Sequence, residues 1–472
     1  MSRINTNIPS LVGRIHLARS QADLQLALDR LSTGLRINSG KDDPAGLIGS
    51  ERIGSEIVSV GRAIANTQQA DQILATAEGA LGEISKLLND IRGLITEAAN
   101  EGAISSDQVA AQQLQVDTSL EAIDRIVAIT SFQGKKLLDG SLSFLTSGLL
   151  PADISDLSVK QANLPSSGTL TLTLTVATPA AKASITGSNA NLAQSFVVEV
   201  AGNKGIEVFT FANGSTPQQV VDAVNLLTDS TGVAASLSGT GEYVFESDEY
   251  GSDAYVEVRQ ISSTGTFAGA GARAYGTDVG GDINGAAFTG QGLMATMRSS
   301  SLSLDMNLTE AFAATTGSTS FDIVGGGAQF QLGPNVVTNQ QVRMSIDSVN
   351  TSRLGTTISG QMRRLYELRS GQSAALATDP TTAYQIVDGA INRVTSLRGN
   401  IGAIQSTTLE TNIASLNDTL VNLTEAQSNI RDADFAQETA RLTRAQILTQ
   451  SGTSVLKIAN QNPQNVLALL PQ

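Results

Sequence analysis

The sequence predicts a mainly α-helical rod, built from long antiparallel coiled-coil-like helices supplied by both termini, with an α+β, β-rich domain inserted between them. Three observations carry this. Apolar residues recur at threes and fours toward both ends, they alternate at period two in the middle, and core material is almost wholly aliphatic. Cys and Trp are absent and aromatics make up 4% of the 472 residues, so any core is made from Leu, Ile, Val and Ala, which suits helix-on-helix packing.

In chain order, Leu24, Leu28, Leu31 and Leu35 form a narrow stripe, with Leu17 one heptad earlier. Gly34 and the turn formers Asn38 to Pro44 end it, because the residue before a proline is biased away from helix. Ile53, Ile57, Val60 and Ile64, followed by Leu81, Ile84, Leu88, Ile91 and Ile95, then repeat as heptads and predict one helix over 47–99, about 80 Å long at 1.5 Å per residue. After a break at 100–106, Val109, Val116, Leu120, Ile123 and Val127 predict a helix that folds back on it. The C-terminal part repeats the design through Ile386, Val394, Leu397, Ile401 and Ile404, then Ile413, Leu416, Leu420 and Leu423, and an apolar face continues from Leu442 almost to the terminus. Between about 164 and 338 the pattern becomes Leu170, Leu172, Leu174, Val176 with Thr between, which predicts strands. Residues 201–205 read as a hairpin turn, Gly325 to Gly327 as a tight β turn, and 217–227 as a short helix.

Composition excludes several functions. Acidic residues number 44 against 30 basic, a net charge of −14 with a pI of about 4.6, so the basic footprint of a nucleic-acid binder is missing. Without Cys there is no disulfide, thiolate nucleophile or Cys-ligated metal, and a single histidine, His16, cannot supply an HExxH zinc helix. His16 reads as an interface residue. No apolar run is long enough for a membrane span, and residues 1–19 lack the apolar stretch of a secretory signal. The stretch from Gly34 to Lys41 fails as a phosphate loop, because five residues separate its glycines and Asp42 stands where Ser or Thr is required. Asp432 and Asp434 lack further spaced oxygen ligands and read as a helix boundary. The carboxylates Glu246, Asp248, Glu249 and Asp253 read as a solvated strand surface rather than a hydrolase pair. The expectation is a non-enzyme with no cofactor and no metal.

Four N-terminal blocks, Ile4-Asn5-Thr6-Asn7, Leu31-Ser32-Thr33-Gly34-Leu35-Arg36-Ile37-Asn38-Ser39, Lys41-Asp42-Asp43-Pro44-Ala45-Gly46 and Ala77-Glu78-Gly79-Ala80-Leu81, resemble bacterial flagellin in order and spacing. So do Asp432-Ala433-Asp434-Phe435-Ala436, Leu442-Thr443-Arg444-Ala445-Gln446-Ile447-Leu448 and Ala459 to Leu467 at the other end. Thr231-Gly232-Val233 with Glu249 to Ala254 is similar to an insertion motif of some flagellins and of the filament cap protein.

The resemblance implies a structural subunit that polymerises into the flagellar filament, the propeller of swimming; the hook–filament junction protein is the alternative. It implies an inner coiled-coil domain from 1–42 and 433–472, a helical rod domain from 43–165 and 336–432, and an outer insertion over 166–335. The assembly interface is expected at Asn5, Leu24, Leu28, Leu31, Leu35, Leu442, Leu448, Val455, Val466 and Leu469. The implied partners are further copies of the chain, the flagellar type III export apparatus and a chaperone, the filament cap and the junction proteins, in an extracellular location. Aligning the family's innate-receptor surface places it on Asp90, Arg92, Leu94 and Gln115, where Asp90 stands for a basic residue and Gln115 for an acidic one, so recognition by the host receptor is expected to be weak.

Overall fold

The computed structural model describes residues 6–100, 104–165, 168–188, 190–262, 265–299, 301–358 and 361–467, with side chains up to 461 at the C-terminal end. The helices are α1 (Ile8–Thr33), α2 (Pro44–Ala98), α3 (Ser106–Ile129), α4 (Pro217–Asn225), the single turns α5 (Thr228–Thr231) and α6 (Glu310–Ala313), then α7 (Pro380–Ala403), α8 (Glu410–Arg431) and α9 (Phe435–Leu467). Contacts divide the chain into two compact units: 1–68 with 333–335 and 410–472, and 69–332 with 336–409.

The first unit holds α1, α2 up to Gln68, α8 and α9. Asn7 caps α1 through its side-chain oxygen, and Gly34, at φ 74°, ends it as the left-handed residue that glycine adopts without strain. Val60 and Ala63 of α2 bury against Leu416 of α8, with Ile64, Leu420 and Leu423 packed around them. Polar contacts fix the antiparallel course of the pair: Asn412 donates to Thr67 (3.2 Å), Gln427 to the carbonyl of Ser50 (3.2 Å), and Arg431 pairs with Glu51 (3.2 Å). Between α1 and α2, Leu35 forms an antiparallel bridge with Asp432, closed by Arg36 N–H to Arg431 O (2.7 Å) and Ala433 N–H to Gly34 O (2.9 Å). Asp434 then starts α9, accepting from the N–H groups of Ala436 and Gln437, the boundary role read from the sequence.

In the second unit the heptad positions Leu74, Leu81, Ile84, Leu88, Ile91 and Ile95 of α2 meet Val116, Leu120, Ile123 and Val127 of α3 and Ile386, Val387, Val394 and Ile401 of α7 in one aliphatic core. A Ser105–Gln108 capping box begins α3. Between Ile401 and Leu409, both buried, residues Ile404–Leu409 form a π-helix. The wider turn absorbs one extra residue, so an eight-residue spacing behaves as a heptad and keeps both side chains on the same face.

The β region contains two further cores. In the first, the sheet ordered 286–287, 280–283, 170–178, 317–326, 144–147 packs Leu172, Leu174, Val176, Phe321 and Ile323 against Leu304, Met306, Leu308 and Ile154 of the sheet ordered 289–291, 294–298, 302–308, 154–162, 341–344, 328–331. In the second, the sheets 182–186, 243–250, 233–237 and 272–275, 255–262, 196–202, 206–211 enclose Tyr243, Phe245, Phe267, Val198 and Val256 together with Val220, Val221 and Val224 of α4. The hairpin expected at 201–205 joins the paired strands Phe196–Gly202 and Ile206–Phe211.

Two expectations need correction. Strands begin at Ser131 and run to Arg364, beyond the span of 164–338; among those missed, Ile154–Ala162 is concealed because β-bulges opposite 303–304 and 307–308 shift its phase and disturb its alternation. The triplet Gly325, Gly326 and Gly327, all at positive φ, is not the tight β turn expected: Gly325 and Gly326 are the last residues of the strand 317–326, paired with Leu145 and Phe144, and Gly327 is the bend from which the chain passes to the strand 328–331 of the other sheet.

Candidate assembly surface

Helices α1 and α9 pair antiparallel along a seam of alternating large and small side chains. A Cβ on Gly13 would lie 3.2 Å from Leu456 Cδ1, and one on Gly452 would lie 3.3 Å from Leu17 Cδ1, so each glycine admits a leucine from the opposite helix. Continuing at the same offset places Ser20 opposite Thr449, Leu24 opposite Ala445 and Ala27 opposite Leu442, and Ala27 and Ala445 are buried. On α1 the seam runs through 10, 13, 17, 20, 24, 27 and 31, and on α9 through 438, 442, 445, 449, 452, 456 and 459, both a strict alternation of threes and fours. Hydrogen bonds close the far end, from Asn7 Nδ2 to Ala459 O (2.9 Å) and from Ser10 Oγ to Asn460 Oδ1 (2.7 Å). At the other end the Glu438 carboxylate, with a side chain 4% exposed, accepts from Arg30 of α1 (3.1 Å) and from Arg441 one turn along α9 (2.9 Å).

The expected interface residues divide accordingly. Leu24, Leu31 and Leu442 are half-buried on the seam, and Leu35 sits half-buried in the Asp432 bridge. Leu28, Leu448 and Val455 lie off the seam and are exposed. With Ile8, Leu11, Val12, Ile15, Ile447 and Ile458 they make a set of aliphatic side chains each 44–61% exposed on the two helices. Asn5 and Leu469 lie outside the described residues, and Val466 falls within α9 with only its backbone described. The small seam residues and Glu438 escaped a sequence reading that followed leucine alone. Their signal was the seven-residue recurrence of Ala445, Gly452 and Ala459 against Leu17, Leu24 and Leu31.

In the second unit, Asp90 and Gln115 are exposed, and Leu94 is half-buried. Arg92 reaches Asp388 of α7 at 3.6 Å, both side chains about two-fifths exposed (39% and 43%), an arrangement that in water is worth at most about 1 kcal/mol. Among the described residues no group of three His, Asp or Glu side chains is placed to hold a metal ion, and no helix is long and apolar enough to cross a membrane. Asp42, whose backbone and side-chain hydrogen bonds to Ser39 lower its pKa below the usual carboxylate value, closes the 38–42 turn.

Comparison with known proteins places this architecture. Residues 4–143 match the bacterial flagellin N-terminal helical region, 384–470 the bacterial flagellin C-terminal helical region, and 196–249 the flagellin hook IN motif. A flagellin of Salmonella typhimurium is 31% identical over 518 residues and one of Salmonella choleraesuis 30% identical over 512, in each case covering 99% of both chains. A B-type flagellin of Pseudomonas aeruginosa is 29% identical over 525 residues, again with 99% coverage of each chain. Helical regions from both termini, a β-rich centre and end-to-end likeness to these relatives together mean that the chain belongs to the bacterial flagellin family.

Proposed function

We infer that the exposed aliphatic faces of α1 and α9 are the surfaces through which this flagellin joins neighbouring copies of itself. Flagellins are structural proteins of the bacterial flagellar filament, and the chain is a filament subunit. The observation that carries the assembly reading is the set of half-exposed aliphatic side chains from Ile8 to Leu28 and from Ile447 to Ile458, which a two-helix seam leaves in water. An apolar surface of this kind on a soluble chain marks an interaction site, and further copies bring matching faces to it. On this reading 1–42 with 433–472 form the inner coiled-coil domain, 43–165 with 336–432 the rod domain, and 166–335 the outer insertion. The chain leaves the cell through the flagellar type III apparatus with a chaperone, is added beneath the filament cap, and meets the junction proteins at the filament base.

Limited proteolysis of monomer and of polymerised protein tests this. Cleavage is expected to trim 1–38 and 435–472 in dilute monomer and to spare them in filaments. Equal resistance of both ends in the two states would overturn the reading.

The exposed Asp90 and Gln115, with the half-buried Arg92 and Leu94, form the surface offered to the host innate receptor, and the reversed charge at Asp90 keeps recognition weak. In a receptor reporter assay, Asp90→Arg with Gln115→Glu is expected to raise signalling, and strong signalling by the unmodified chain would refute the assignment.

A further inference from the structure

We propose that Glu438 is the residue that sets the register of the terminal helix pair, an inference that rests on that pair being part of the assembled filament. The seam itself is degenerate. Leu17, Leu24 and Leu31 recur at sevens on α1, and Ala445, Gly452 and Ala459 recur at sevens on α9. Sliding one helix by a heptad, about 10 Å, sets Leu17 on Ala459, Leu24 on Gly452 and Leu31 on Ala445. Large side chains still meet small ones, and helix packing has little with which to reject the slipped pair.

Glu438 breaks the tie. In the observed register its buried carboxylate lies between Arg30 and Arg441, and among the described residues Arg30–Glu438 is the one ion pair joining α1 to α9. The heptad slip just described carries Glu438 past the end of α1 and leaves Arg30 beside Ala445. The opposite slip presses the carboxylate onto Leu24 with no partner across the seam. The first slip leaves Arg30, 13% exposed, on the seam without its carboxylate, and the second leaves Glu438 with only Arg441 of its own helix; either loss of the cross-helix partner is more costly than a mismatch of apolar volumes, so this ionic contact discriminates registers that the aliphatic pattern treats alike. The Leu35–Asp432 bridge holds the same ends together, but its backbone hydrogen bonds lie at half-exposed and exposed residues, where water competes for each of them.

The absence of native cysteine makes the register directly readable by engineered disulfides in the full chain. Ser20→Cys with Thr449→Cys reports the observed register, and Ala27→Cys with Thr449→Cys reports the slipped one. In an otherwise unmodified chain the first pair is expected to cross-link many-fold more than the second. Combining Arg30→Leu with Glu438→Leu should raise the slipped cross-link several-fold, to a level comparable with the first. The exchange Arg30→Glu, Glu438→Arg and Arg441→Glu should restore the original ratio. An unchanged ratio in the Leu/Leu variant would show that the helix seam or the Leu35–Asp432 bridge suffices, and failure of the exchange to restore it would remove the ion pair as the cause. Absence of both cross-links in the unmodified background would refute the pairing itself. Whether the unmodified chain polymerises is scored separately by sedimentation, so failure of the assembly reading and failure of the register assignment are distinguishable.

Discussion

Along α2 in the second unit, Leu74, Leu81, Ile84, Leu88, Ile91 and Ile95 are at most 1% exposed, whereas on α1 and α9 in the first unit most of the large aliphatic residues are half in water. Both regions are written in the same heptad language. The difference is the number of helices available to close the core: α2, α3 and α7 cover one another's stripes within one chain, while two helices with glycine and alanine in their seam can bury only a narrow strip. One region is a finished core, and the other, on the assembly proposed above, is finished by copies of the chain. A sequence stripe therefore says that a partner is needed and says nothing of which molecule provides it.

The contrast can be broken from the unfinished side. Leu448→Asp is expected to abolish polymerisation, since an unpaired charge buried where subunits meet costs several kcal/mol per subunit, while leaving the thermal unfolding of the monomer unchanged. Sedimentation and calorimetry check the two halves of that statement, and a destabilised monomer would mean that Leu448 belongs to the internal core. The converse substitution, Leu88→Ala, should cost the second unit about 2–5 kcal/mol and yet permit filaments below its melting temperature.

Burial in the β region gives the next effect. Tyr243 is fully buried and donates to Ala268 O at 3.1 Å, and burial pushes its phenol up from the ordinary 10 to about 12. The folded state holds this proton more tightly than the unfolded chain does. The stability it contributes is thus complete below pH 10 and is lost as pH rises from about 10 to 12, by roughly 2–3 kcal/mol at about 1.4 kcal/mol per unit. Tyr243→Phe should flatten that stretch of the alkaline unfolding curve. The smallest expected effect is at Asp379, whose side chain caps α7 by accepting from Thr382 N–H (2.9 Å), and the hydrogen bonds with Thr382 hold its pKa below the ordinary carboxylate value. Asp379→Ala should cost about 1 kcal/mol, a loss that denaturant titration would detect at neutral pH and that should vanish as acid protonates the native carboxylate.

Much of the helical architecture was legible in advance, because spacings of three and four over many turns have few competing explanations. The stop at Gly34, the long α2 and the return of α3 follow from such spacing, and so do the candidate residues Leu24, Leu31 and Leu442 on the seam. Strand Ile154–Ala162 was concealed because bulges disturb period two, and the π-turn at Ile404–Leu409 because an eight-residue gap looks like a missed heptad until the backbone absorbs the extra residue.

The sequence by itself determined that both ends are helical, that the middle is β-rich, that no cysteine chemistry is available, and which family the terminal motifs resemble. These are local or compositional properties, encoded within a few turns of chain. Only the tertiary structure decided that Gly13 faces Leu456, that Leu28 and Leu448 point away from the seam, and that Glu438 lies buried between Arg30 and Arg441. Each of these depends on the offset between helices separated by some four hundred residues, and a pattern that repeats every seven residues leaves that offset undefined until contacts between the two helices choose one register.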